Sequence, residues 1–304
     1  MKQTFYSNGK LLITAEYTVL DGATALALPT KFGQNLIVET SNNKEIIWTS
    51  YDVDGTTWFK ETILFSSIIA KEQFNSSNGV KNTLIEILHE GYKLNPNFII
   101  NSNGYIVSTT LTFSRFWGLG TSSTLINNIA QWLQVDAFTL LKNSFGGSGY
   151  DIACAQNNCP ILYKLENQIP VVEKCLFNPI FKNNIYFVYL NKKQSSKDAI
   201  ASYNKKKNLV TTIIEKIDQL THTITTTQNI EEFTLALKMH EQEMSKIVEI
   251  PTVQELFFND FNGVVKSLGA WGGDFVMVVS KINPIHYFEN KQYKTIIPYT
   301  EMIL

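Results

Sequence analysis

The sequence predicts an α+β protein of two domains, on three observations. Its 304 residues suit two domains of ~100–200 residues each. The first half mixes short strand-like segments with segments whose apolar residues repeat at helical spacing. Beyond the turn-like pair Asn178-Pro179 the pattern becomes a strand, two long helices and a further strand. The expected division is therefore 1–178 and 179–304.

The elements follow in order. Leu11–Ala15 and Leu36–Thr40 have strand composition, and Glu45–Ser50 with Thr56–Lys60 reads as a hairpin across Asp54-Gly55. Ser77–Tyr92 carries Leu84, Ile85, Ile87 and Leu88 on one helical face. Phe98–Ile100 and Tyr105–Thr109 flank Asn103-Gly104, a hairpin signal. Ser122–Leu133 places Leu125, Ile126, Ile129 and Leu133 at helical spacing; Asp151–Gln156 reads as a short helix and Pro160–Leu165 as a strand. In the second domain Ile185–Leu190 is a strand, Ser196–Thr223 and Ile230–Ile247 are helices, and Asp274–Ser280 is a strand.

Composition bounds the partners. Hydrophobic residues make up 44% and charged residues 17%, with 16 Gly and 8 Pro, which excludes a disordered or collagen-like chain. With 26 basic and 27 acidic side chains the net charge is −1, so no nucleic-acid partner is expected. Arg115 is the sole arginine, and anions must be held by backbone N–H groups, helix ends and lysines. Cys154, Cys159 and Cys175 fit no zinc spacing and are expected to be buried free thiols in a reducing compartment. The first residues lack an apolar signal core, and no run approaches ~18 apolar residues. The expectation is a soluble cytoplasmic protein with no membrane partner.

Three glycine-rich loops carry the chemistry. Trp117-Gly118-Leu119-Gly120-Thr121-Ser122-Ser123-Thr124 stands directly before a helix. Its glycines let the backbone approach a ligand, and the helix start offers N–H groups and a partial positive charge to an anion. Its hydroxyls can donate to phosphate oxygens or ligate Mg²⁺. It is not a Walker A loop, and an ordinary Ser/Thr cap after a glycine turn has the same composition. Gly146-Gly147-Ser148-Gly149-Tyr150-Asp151 sets a carboxylate at a helix start, where Asp151 can be held still and kept ionised, or serve as a plain cap. Gly269-Ala270-Trp271-Gly272-Gly273-Asp274 leads into an apolar strand, and a tryptophan inside that run is unusual for a simple turn.

Loops of this kind in this order resemble the GHMP kinases. Asn8-Gly9-Lys10-Leu11-Leu12-Ile13-Thr14-Ala15-Glu16-Tyr17 is similar to the first family motif, Gly118–Thr124 to the second, and Gly269–Asp274 to the third. Gly149-Tyr150-Asp151-Ile152-Ala153 resembles the signature of the GYDIA subgroup. The resemblance implies an N-terminal α/β domain with a left-handed βαβ unit and a C-terminal ferredoxin-like domain. It implies ATP and Mg²⁺ as cofactors and a small molecule as acceptor. Asp151 takes the place of the general base and Lys10 that of the lysine beside it. Gly118, Leu119, Gly120, Thr121, Ser122 and Ser123 bind the triphosphate, Ser122 also holding the metal. Glu16, Ser148, Gly149, Ser195, Ser196, Gly272, Gly273 and Asp274 are the expected acceptor-binding set.

Some positions depart from the family pattern. Ser7-Asn8 stands for the usual Ala/Pro pair and Ala15-Glu16-Tyr17 for Gly-Glu-His, while position 140, where mevalonate kinases carry a metal-binding Glu, is Leu. Gly272-Gly273-Asp274 and Gly147–Ala155 lean toward phosphomevalonate kinases. The Lys-rich stretch from Lys192 to Lys197, or Arg115, could anchor an anionic acceptor. His240 is expected on a helix face. Two alternatives stay open: a catalytically silent ligand-binding protein of the same fold, and a decarboxylase like the mevalonate diphosphate enzyme. A homodimer is compatible with the sequence.

Overall fold

The computed structural model describes residues 2–192, Tyr203, 210–269, Trp271 and 273–304. The chain forms two compact units, each gathered from separate stretches. One holds Met1–Gly9, Phe32–Arg115 and Leu119–Gln156; the other holds Lys10–Lys31, Phe116–Gly118 and Asn157–Leu304.

In the first unit the strands run in the order β4-β3-β5-β2, where β2 is Ala25–Thr40, β3 Glu45–Tyr51, β4 Thr57–Leu64 and β5 Tyr105–Leu111. The β3–β4 hairpin turns where expected, with Gly55 at φ 81° and Asp54 Oδ1 accepting from Thr56 N–H at 2.9 Å. β5 runs antiparallel to β2 and parallel to β3. The parallel pair needs a long crossover. It is supplied by β4 and the helices α1 (Phe65–Ile69), α2 (Gly79–Leu94) and α3 (Asn97–Ile100).

β3 and β5 bury alternate residues, the period of a strand with one covered face. Their covered residues Ile46, Trp48 and Val107 share one core with Leu84, Ile85, Ile87 and Leu88 of α2. The same core takes in Ile126, Ile129 and Leu133 of α4 (Thr121–Leu133), Leu140 of α5 (Ala137–Ser144) and Ile152 of α6 (Tyr150–Gln156). Each such aliphatic chain contributes ~1.5–3 kcal/mol on burial.

The second unit contains the four-stranded sheet β11-β8-β10-β9, with β8 Ile185–Tyr189, β9 Val264–Ser267, β10 Phe275–Val279 and β11 Ile296–Pro298. Every neighbouring pair is antiparallel. Counted along the chain that order is 4-1-3-2, the ferredoxin-like arrangement. Between β8 and β9 lie α7 (Val210–Thr226), α8 (Ile230–Val248) and α9 (Val253–Phe257); α10 (Ile285–Asn290) connects β10 to β11, and α11 (Tyr299–Met302) follows. One sheet face packs Val188, Val265, Val276 and Val278 against Val253, Phe258 and Phe288. The same unit holds the hairpin of β6 (Ile161–Glu166) and β7 (Ile169–Lys174), with β6 paired to Ala25–Ala27 of β2. β1 (Lys2–Leu12) also pairs with β2.

Several expectations are corrected. The strand expected at Leu11–Ala15 belongs to β1 and ends at Leu12, because Ala15 takes a left-handed φ of 62°. Phe98–Ile100 lies in a helical turn rather than a hairpin strand; Phe98 and Ile99 turn into the core, and Phe98 O accepts from the Tyr105 hydroxyl at 2.6 Å. Of the cysteines only Cys154 is buried. The helix expected from Ser196 is described from Val210, and the Lys193–Lys197 stretch lies outside the described residues. Sequence reading did not identify β7, β9, β11, α5 or the short helices after Val248.

Candidate functional site

The Gly118–Thr124 loop has the backbone that its glycines suggest. Gly118 and Gly120 are left-handed, at φ 68° and 93°. Gly120 caps α4, accepting from Thr124 N–H at 2.9 Å and from the Ser123 hydroxyl at 2.8 Å. The amides of Thr121, Ser122 and Ser123 precede the first helical bond and have no acceptor within the helix. Ser122 is exposed, whereas Ser123 and Leu119 are buried. Thirteen residues of helix thus begin with donors and an exposed hydroxyl at their positive end.

Buried polar contacts orient α4 within the first unit. The Ser7 hydroxyl donates to Asn128 Oδ1 and accepts from Asn127 Nδ2, both at 2.8 Å. Asn128 Nδ2 donates to Gln34 O at 2.9 Å, and the Thr124 hydroxyl donates to Gln34 Oε1 at 2.7 Å. The hydroxyl at position 7, a departure from the family motif, therefore ties β1 to α4. Asp151 lies in the first turn of α6, half-buried, behind Gly149 at φ 91° and the buried Ser148. Gln156 Nε2 donates to Asn127 Oδ1 at 3.1 Å, so the helix of Asp151 packs on the helix of Ser122. Arg115 is engaged in the same unit, its Nε 3.7 Å from Asp52 Oδ2 and its guanidinium over the Trp58 ring.

In the second unit, residues of the first and third motifs meet at Gly118 of the second motif. Lys10 Nζ donates to Gly118 O at 3.3 Å. A Cβ built on Gly118 would lie 2.3 Å from Asp274 Oδ2, so the carboxylate fills the space a side chain would need. Asp274, itself left-handed at φ 53°, donates its N–H to Lys192 O and accepts at its carbonyl from Leu190 N–H, both at 2.8 Å. Phe116 O accepts from the Tyr189 hydroxyl at 3.0 Å, and Trp117 stacks edge-on against Phe275 with centroids 5.6 Å apart. Trp271 is an anchor rather than an ornament. Its N–H donates to the Tyr17 hydroxyl at 3.3 Å and its indole N–H to Pro251 O at 3.0 Å. Gly273 is buried beside it, while Ser195, Ser196 and Gly272 lie outside the described residues.

Glu16 has a setting the sequence does not announce. It is 1% exposed, and its Oε1 accepts from Lys266 Nζ at 2.5 Å. Lys266 also donates to Ser267 O at 2.9 Å and stands 3.6 Å from Glu241 Oε2. His240, on a helix face as expected but fully buried, accepts from Ala15 N–H at 2.9 Å and stands 3.7 Å from Glu16 Oε2. Burial raises Glu16 above the usual carboxylate range, opposed by Lys266, and pushes Glu241 up to about 7. Burial, reinforced by Lys266, holds His240 well below its ordinary value, which keeps it neutral. Sequence reading missed Lys266 and Glu241. The signal was present in α8: Phe233, Ala236, Leu237, Met244, Ile247 and Val248 trace one buried stripe, and positions 240 and 241 fall on it.

No protein-family model matches the chain, and no curated protein does. Solved structures do. The mevalonate kinase of Methanococcus jannaschii superposes with a TM-score of 0.71 at 16% identity, covering 98% of this chain and 97% of that one. The phosphomevalonate kinase of Streptococcus pneumoniae, in complex with phosphomevalonate and AMPPNP, gives 0.68 at 15%, covering 95% of each. The galactokinase of Lactococcus lactis, complexed with galactose, gives 0.62 at 12%, covering 95% and 88%. The chain has the GHMP kinase fold. In that fold a main sheet and a second sheet make up the two domains, as the resemblance implied. Among the described residues of this GHMP fold, no helix is long and apolar enough to cross a membrane.

Proposed function

We propose that the chain is an ATP-dependent small-molecule kinase of the GHMP type. It transfers a phosphoryl group to a small anionic acceptor, with phosphomevalonate or mevalonate foremost. The supporting observation is the opening of α4, where left-handed Gly118 and Gly120 present backbone donors and the exposed Ser122 hydroxyl at a helix N-terminus. Phosphoryl transfer needs positioning and charge stabilisation more than covalent help, and this loop offers both.

In this reading Gly118, Leu119, Gly120, Thr121, Ser122 and Ser123 hold the triphosphate. Lys10 stabilises charge on the transferred group and Asp151 accepts the acceptor's hydroxyl proton. Ser148, Gly149, Gly273 and Asp274, with Ser195, Ser196 and Gly272, orient the acceptor; Glu16, expected in that set, is 1% exposed and held by Lys266, and so is not assigned to it. Among the described residues no group of three or more His, Cys, Asp or Glu could cage a metal. That donor set suits Mg²⁺ carried by phosphates and water with the Ser122 hydroxyl as protein ligand. Bound with ATP, the ion would neutralise phosphate charge. The division at 1–178 and 179–304 remains our proposed domain boundary, set just before the four-stranded sheet begins at Ile185.

Purified protein should release ADP from MgATP with at least one of mevalonate, phosphomevalonate, homoserine or a sugar. Asp151→Asn should lower that transfer by ~10²–10⁴ while leaving the circular dichroism spectrum unchanged. Full turnover in the variant would remove Asp151 as the base. The altered first motif, Ala15-Glu16-Tyr17 in place of Gly-Glu-His, and Leu at position 140 favour a second reading, a silent ligand-binding protein of this fold. Nucleotide binding without transfer to any acceptor would select it.

A further inference from the structure

We infer that Lys266 is a positioning residue of the proposed kinase site: buried between Glu16 and Glu241, it locks the corner Ala15–Tyr17 and so holds the Lys10 strand and the Trp271 turn in place around Gly118. The inference rests on the kinase reading for its functional half.

The corner is strained. Ala15 and Tyr17 both take positive φ, 62° and 64°, Tyr17 with ψ −46° outside the left-handed helical well, and a bulky tyrosine there is an outlier. Backbone of this kind persists only where its surroundings hold it. Here the surroundings are explicit. Ala15 N–H is tied to His240 Nε2, Thr18 N–H to Glu16 O at 2.7 Å, and Val19 N–H to Ala15 O at 3.0 Å. The Glu16 side chain between them is clamped by the Lys266 ammonium.

The clamp stands in an apolar setting. Lys266 is opposite Met277 on β10, which is opposite Phe187 on β8, and all three are fully buried. A third apolar residue would pack there without desolvating an ammonium and two carboxylates. Buried ion clusters are often no more stable than such packing, and in some proteins they fix geometry instead.

That geometry has two outlets. Lys10, whose ammonium reaches Gly118 O, lies five residues before the corner on a strand that ends two residues past it. The Tyr17 hydroxyl accepts from Trp271 N–H in the turn that delivers Asp274, whose carboxylate lies against Gly118. One ammonium therefore sets two loops that converge on the same glycine.

The test compares wild type, Lys266→Met and the charge-balanced pair Lys266→Met with Glu16→Gln, which removes both partners and covers the case in which the single variant fails to fold. Transfer from MgATP to the acceptor found in the panel is followed together with hydrogen exchange of backbone amides. The expected result is a fall in kcat of roughly 10- to 100-fold, the scale of a small misplacement. The KM for ATP should stay within about threefold, the split that marks lost transition-state positioning. Amides of residues 10–17 and 273–274 should exchange faster, with those of α2 unchanged. Wild-type kcat in the paired variant overturns the inference, as does lost protection spread equally over α2. A wild-type protein that transfers phosphate to nothing removes the kinase reading instead, and the exchange pattern then decides the lock alone.

Discussion

At the scale of single residues, the buried cluster makes stability depend on pH in a direction opposite to that of an ordinary salt-bridged acid. Glu241 is pushed up to about 7 by burial, so the folded chain holds its proton where the unfolded chain has released it. Stability is therefore lost as pH rises from the ordinary carboxylate range to about 7, by up to about 3 kcal/mol. His240, held neutral, works in the other direction below its ordinary value, which is why the comparison must be made against a variant. Glu241→Gln should match wild type near pH 5 and exceed it in urea midpoint at pH 8. Equal midpoints at both pH values would remove the buried acid from the account. Gly118 makes a second case. Its φ of 68° costs an L-residue ~1–2 kcal/mol, and a methyl group would meet Asp274 Oδ2. Gly118→Ala should lose at least that in unfolding free energy and weaken ATP binding in calorimetric titration.

At the scale of elements, capping and stripes account for most of what forms. α8 begins at Asn229, whose side chain accepts from Glu232 N–H at 3.0 Å, and buries a continuous stripe from Phe233 to Val248. α9 begins with a full capping box, Thr252 with Glu255, directly after the Pro251 carbonyl that receives the Trp271 indole. Thr252→Ala should cost about 1 kcal/mol by thermal denaturation. A loss much smaller than this would mean that packing of Val253, not the cap, sets that helix. Where sequence reading failed, the reasons are local. β7 follows Asn167 and Gln168, both left-handed in a two-residue hairpin turn, and Gln at such a position carries no turn signal. Asn103-Gly104 carries one without a hairpin, because Phe98 and Ile99 gain more from burial in a helical turn than from pairing.

At the scale of the whole molecule, a nucleotide that binds only the folded chain stabilises it by mass action. MgATP at a hundredfold excess over its Kd should add about 2.7 kcal/mol and raise the unfolding temperature. A thermal scan showing no shift across a wide range of MgATP would argue against nucleotide binding. The fold itself was largely legible, since hydrophobic spacing marked α2, α4, α8 and β8, and the glycine loops stood in motif order. The compact units were not legible, because each is gathered from distant stretches such as Lys10–Lys31 and Asn157–Leu304.

The sequence alone determined the elements whose signals are local: helices with an apolar stripe, strands with alternating burial, and glycines where φ must be positive. Only the tertiary structure decided that Glu16 faces Lys266 and not solvent, and that Asp274 fills the space beside Gly118. Those partners stand 250 and 156 residues apart along the chain. No local pattern encodes such a pairing, because it is fixed by strand register and helix packing that exist only once the core of the second unit has closed.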